Sequence, residues 1–153
     1  MKKILTIVVL LAAFATGLTA QVLKPVKWNI SQKKVSEGVY DIICKATIDA
    51  TWHLYDTKLP EGGPLPTTFN IDEDETKGVE LVGEFKATTE AKTEHSQAFD
   101  MDLKYFENTV TFIQRVKVTL SKGKLVGSVE FMSCTGGQCT PPDDAEFEFE
   151  LTK

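Results

Sequence analysis

The chain has 153 residues with 22 acidic against 17 basic side chains, a net charge of −5. That balance repels phosphate backbones and anionic headgroups, which excludes nucleic acid and anionic membrane surfaces as partners. The length fits one domain with a core large enough to hold without staples.

Lys2 and Lys3 precede an apolar run from Ile4 to Phe14 that only Thr6 interrupts, and the small residues Ala15, Thr16, Gly17, Thr19 and Ala20 follow. Residues 1–20 therefore read as a secretion signal cut after Ala20, with an apolar run too short for a permanent anchor. Leu18 fits poorly at the third position before that cut. No cysteine follows the run, which argues against a lipid anchor. Residues 21–153 form the expected mature domain, and loss of Lys2 and Lys3 takes its charge to −7. An oxidising compartment is implied.

Beyond the signal the hydrophobic pattern has period two, the spacing of strands. Predicted strands are Val26–Ile30, the run from Gly38 to Ile48, Thr67–Ile71, Val79–Phe85, Thr109–Leu120, Val126–Ser133 and Glu146–Leu151. In the second, Tyr40, Ile42, Cys44, Ala46 and Ile48 share one face, so Cys44 is expected as an inert thiol in the core. In Thr109–Leu120, Val110, Phe112, Val116, Val118 and Leu120 are expected inward, and Ser121-Lys122-Gly123-Lys124 is a plausible turn. In the last strand Phe147, Phe149 and Leu151 should face in and the glutamates out. Seven to nine short strands without a capped helix predict an all-β, antiparallel β-sandwich.

Two connections differ from ordinary turns. Leu59–Pro66 holds three prolines and two glycines, a stiffened link. Residues 87–98 read as a long polar loop ending at Phe99, a candidate lid. Asp72-Glu73-Asp74-Glu75 lacks the glycine and spacing of a calcium loop and reads as a solvated acidic turn.

Chemistry concentrates at Cys134 and Cys139, which four residues separate. Gly136 and Gly137 let the backbone turn back between them, and Pro141-Pro142 stop a simple strand from continuing. A bridge over so short a loop stabilises by only about 2 kcal/mol, which favours exchange chemistry over stapling. Two other readings stay open: a structural hairpin disulfide in a non-catalytic binding module, and a zinc site completed by His53 and His95. Trp52-His53-Leu54-Tyr55 forms an aromatic cluster that is either half-buried strand or a docking surface.

Taken together, Cys134-x4-Cys139-x-Pro141-Pro142, Trp52-His53-Leu54-Tyr55, Leu59–Pro64 and the run from Ala98 to Thr111 resemble the N-terminal periplasmic domain of the thiol:disulfide interchange protein DsbD. The resemblance extends from about residue 24 to the end. It implies an immunoglobulin-like fold and a protein-disulfide reductase activity in the periplasm. It also implies that Cys134 and Cys139 are the redox pair, with Cys139 forming mixed disulfides and no metal or other cofactor. Phe99 matches the phenylalanine of the family's cap, and Asp100 stands where a neighbouring aromatic is usual. Some members have five residues between the cysteines. The implied partners are a separate membrane-embedded thiol reductase and thioredoxin-like proteins of disulfide isomerisation and cytochrome c biogenesis, met by a monomer. The chain ends at Lys153 without a membrane or thioredoxin-like domain, so either the electron source is a separate protein or the chain is a fragment.

Overall fold

The computed structural model describes residues 23–153; the expected signal at 1–20 lies outside the described residues. Strands run β1 Val26–Ser36, β2 Val39–Ile48, β3 His53–Tyr55, β4 Thr68–Ile71, β5 Val79–Ala87 and β6 Lys92–Ser96. They continue as β7 Met101–Phe106, β8 Thr109–Val118, β9 Lys122–Phe131, β10 Ser133–Thr135, β11 Gln138–Cys139 and β12 Asp143–Thr152. Every paired ladder is antiparallel, and no helix occurs among the described residues. The fold is an antiparallel β-sandwich, as the strand pattern predicts, and of the immunoglobulin-like type that the family resemblance implies.

A four-stranded sheet in the order β1-β2-β8-β5 packs against a three-stranded sheet β12-β9-β4. The alternation in β2 explains its place at the centre: Tyr40, Ile42, Cys44, Ala46 and Ile48 are all buried and the intervening residues are not. Phe112 and Val116 of β8 meet Leu125 and Val129 of β9 in the same core. Burying side chains of this size contributes roughly 1.5–3 kcal/mol each. Aromatic rings add geometry, with Phe69 stacked on Phe147 at 4.9 Å and Trp28 tilted against Phe131 at 5.4 Å. The Tyr40 hydroxyl donates to the Thr152 carbonyl at 2.9 Å, tying the two layers together across 112 residues of chain.

The third sheet, in the order β11-β10-β3-β7-β6, lies at one end and carries a smaller apolar cluster of Tyr55, Leu103, Tyr105 and Cys134. Leu59, from the proline-rich link, packs on that cluster, and Gly63 of the same link lies against Met101 and Leu103 of β7. The stiff link therefore braces the sheet that holds the cysteines.

Several elements differ from the sequence expectation. β1 runs on to Ser36, because pairing with β2 holds its polar second half in place without burial. Residues 87–98 are not one loop: Ala87 closes β5, and Lys92–Ser96 form β6, an exposed edge strand with no apolar alternation to reveal it. Leu120 is 57% exposed and faces solvent, since β8 stops at Val118 and the alternation ends with it. Ser121–Lys124 is not a turn, as β9 begins at Lys122 opposite Thr152. The expected strand Val126–Ser133 breaks at Met132, where the chain leaves one sheet for another. Phe149 is only partly buried at the margin of the core, whereas Phe147 and Leu151 are buried. Asp72–Glu75 is an exposed turn, closed by Asp72 Oδ1 accepting from the backbone N–H groups of Asp74 and Glu75 at 3.0 Å each.

Candidate functional site

Cys134 on β10 and Cys139 on β11 face each other directly across a tight hairpin, with Thr135 paired to Gln138 and Gly136-Gly137 at the tip. Their sulfurs form a disulfide, with the Cα atoms 4.0 Å apart. Contrary to the sequence expectation, neither Gly136 nor Gly137 takes a left-handed φ, and an added Cβ on either would meet nothing, so the tip stands free in solvent. The base of the hairpin is held separately. The Thr140 N–H donates to the Ser133 carbonyl at 2.8 Å, and the Ser133 N–H donates to Thr140 Oγ1 at 3.3 Å.

The two sulfurs occupy unlike surroundings. Cys134 is 6% exposed and belongs to the apolar cluster with Tyr55, Leu103 and Tyr105. Cys139 is exposed, on a two-residue strand at the sheet edge. One sulfur is thus packed against the domain and the other is presented outward.

A groove of about 420 Å³ opens beside the pair, with Phe99 and the hairpin tip on its walls and His53, Tyr55 and Tyr105 along it. Phe99 is half-buried against the cluster that contains Cys134. It sits in the turn between β6 and β7, closed by the Ser96–Met101 pair, so the segment it belongs to is a hairpin tip and not the end of a long loop. Asp100 beside it takes a left-handed φ of 53°, which a short polar side chain tolerates. Its side chain is 97% exposed and lies 3.5 Å from His95 Nε2, while His95 Nδ1 meets Asp102 at 3.0 Å.

Trp52, His53 and Tyr55 do not share one fate. Trp52 is buried in the main core and does not line the groove, because alternation along β3 sends it and Leu54 inward. His53 and Tyr55 point to the other face, into the groove. His53 pairs in register with Cys134, stacks on Tyr105 at 4.0 Å between ring centres, and meets Glu107 at 3.2 Å through Nε2. Lys92 pairs with the other Glu107 oxygen, and this hydrogen bond, ahead of the nearby histidine, holds the Glu107 carboxyl below its ordinary range. Burial first, and Glu94 second, push the Tyr55 and Tyr105 hydroxyls above theirs. Among the described residues no three His, Cys, Asp or Glu side chains are gathered as a metal site. His53 and His95 are each engaged with carboxylates instead.

Cys44 is remote from this groove, fully buried in the core as its face predicts, and burial pushes its thiol up to about 12. Sequence reasoning did not single out Tyr105, Leu103 or Glu107. The apolar alternation of Met101, Leu103 and Tyr105 was the available signal for the first two.

The whole domain matches one family, described as thiol:disulfide interchange protein DsbD, N-terminal, over residues 19–151. The chain belongs to the DsbD N-terminal family. Curated protein sequences include no significant match. Among solved structures it is similar to the N-terminal periplasmic domain of ScsB from Proteus mirabilis, at 15% identity and a TM-score of 0.59. That match covers 88% of this chain and 49% of the other, so the chain spans about half the length of that relative. It is also similar to the Neisseria meningitidis DsbD N-terminal domain in the reduced form, at 15% identity and a TM-score of 0.49, covering 81% of this chain and 86% of that one. The ScsB likeness agrees with the sandwich described above. Family membership and the Cys134–Cys139 disulfide both fit a thiol–disulfide relay module.

Proposed function

We propose that this DsbD-type domain is a periplasmic protein-disulfide reductase component. It takes reducing equivalents from a separate membrane-embedded thiol reductase and delivers them to thioredoxin-like proteins, those of cytochrome c biogenesis among them. The observation that carries this reading is the asymmetry of the pair, with Cys139 exposed at a sheet edge and Cys134 packed at 6% exposure. Residues 1–20 direct export and residues 21–153 do the work as a monomer, with the two sulfurs as the redox centre and no metal or other cofactor.

In the dithiol form the Cys139 thiolate attacks one sulfur of a partner disulfide, making a mixed disulfide and releasing the partner's other sulfur as a thiolate. Cys134 then gives up its proton and attacks Cys139 Sγ. The Cys134–Cys139 bond forms, the mixed disulfide breaks, and the partner leaves as a dithiol after taking up two protons. Two electrons pass to the partner. Phe99, half-buried on the cluster around Cys134, covers the pair until a partner lifts it. Asp100 leaves one ring instead of two in the cap, and His53 and Tyr55 form the floor on which the partner docks.

The test is trapping. In Cys134→Ser the resolving sulfur is gone, so a mixed disulfide through Cys139 accumulates with a thioredoxin-like periplasmic protein. It appears as a band on a non-reducing gel that dithiothreitol removes, with its partner identified by mass spectrometry. Cys139→Ser traps far less. Equal trapping by both variants would reject the assigned roles, and no trapping by either would favour a non-catalytic binding module.

A further inference from the structure

The resolving step asks a buried thiol to ionise. Cys134 is 6% exposed among apolar rings, where desolvation disfavours a thiolate. Its cross-strand neighbour on the side away from Cys139 is His53. Residues directly opposite in an antiparallel pair share a face with Cβ atoms about 5 Å apart, so Cys139, Cys134 and His53 form one row across the sheet. All three line the same groove.

The imidazole is held, not loose. Tyr105 stacks on one face of the ring at 4.0 Å, and Nε2 lies 3.2 Å from Glu107 Oε1. Donation from Nε2–H to a carboxylate leaves Nδ1 with the free lone pair. Lys92 engages the second Glu107 oxygen and keeps that carboxylate ionised. The result is a carboxylate that orients a histidine one cross-strand position from Cys134, the kind of arrangement general-base chemistry uses.

We propose that His53 is the proton acceptor for Cys134 in the resolving step, with Glu107 as its positioning residue. The inference rests on the relay reading for the order of the two sulfurs. As Cys134 Sγ attacks Cys139 Sγ, its proton passes to His53. The Cys134–Cys139 bond forms, the partner's sulfur departs as a thiolate, and the imidazolium returns the proton to that thiolate or to water. The charged and titratable groups around the ring are Glu107 after β7, Tyr105 on β7, Lys92 and Glu94 on β6, Tyr55 on β3 and Cys134 itself.

Dithiobis-nitrobenzoate separates the steps without any protein partner. Added to the reduced mature chain, it gives one nitrothiobenzoate as Cys139 is attacked, at a rate proportional to reagent. The second release, as Cys134 closes the disulfide, is independent of reagent concentration. Cys44, fully buried, adds nothing while the protein is folded. In His53→Asn and His53→Gln the second release is expected to slow about 10²-fold near neutral pH, the lower end for general-base assistance, with the first little changed. The gap narrows as pH rises, because hydroxide and the thiol's own ionisation increasingly take over the proton. Glu107→Gln slows the same phase less and in the same direction.

A second phase unchanged in both His53 variants overturns the proposal, and so does equal slowing of both phases at every pH, which would make His53 a packing residue. Those results leave the relay reading standing. Absence of any second release from the wild-type protein would instead overturn the relay reading, and the role of His53 with it.

Discussion

Removing the Phe99 ring tests whether the residue guards the disulfide or merely fills space. A fully buried phenylalanine cut to alanine costs about 3–5 kcal/mol. Phe99 is half-buried, on a hairpin tip, and touches only the small cluster around Cys134, so roughly 1–2 kcal/mol is expected from the apolar area it hides. If that contact is what closes the cap, its loss shifts the open fraction by the same free energy, a factor of about 5–30. Reduction of the disulfide by dithiothreitol should then accelerate by up to that factor in Phe99→Ala, with only a modest fall in the urea midpoint. Leu103→Ala is the control: Leu103 belongs to the same cluster but is 2% exposed and lies below the surface. It should lose about 2–5 kcal/mol of stability with a smaller change in reduction rate. A large stability loss in Phe99→Ala with an unchanged reduction rate would refute the cap.

Three further outcomes follow from the packing. Peptide mapping of the oxidised protein should find Cys134–Cys139 bridged and Cys44 free, and Cys44 should resist alkylation until unfolding. Because burial raises the Cys44 thiol to about 12, its neutral form favours the folded state. That contribution is whole below the ordinary thiol range near 9 and is lost as pH rises from there towards about 12, measurable as a falling urea midpoint that Cys44→Ala lacks. Gly127→Ala should destabilise by about 1–3 kcal/mol, because its Cβ would collide with the Asn70 carbonyl oxygen between β4 and β9. Chemical denaturation at constant m-value checks the magnitude, and a neutral result would show that β4 shifts freely.

The parts of the fold that bury one face were readable before the structure. β2 and β8 alternate because one side meets the core, and that alternation placed Cys44 correctly. The disulfide hairpin was readable because its two cysteines and two glycines are local. β6 was not: Lys92, Thr93, Glu94 and His95 are all exposed, so hydrogen bonding to β7, and no hydrophobic period, makes them a strand. The groove was only half readable. His53 and Cys134 are separated by eighty residues of chain and meet through the pairing of β3 with β10, which no local pattern encodes. Trp52 and His53 looked like one aromatic cluster, yet strand alternation sends them to opposite faces.

The Ser133–Thr140 contacts close the cysteine hairpin one pair below the sulfurs. Breaking the disulfide therefore opens only a six-residue tip, while the ladder beneath it stays anchored to β3. Reduction is expected to move the sulfurs and their immediate neighbours and to leave the rest of the scaffold in place. The disulfide and dithiol forms should give nearly superimposable amide spectra everywhere except around the groove, so whatever distinguishes the two forms must read the sulfurs locally and not the shape of the domain.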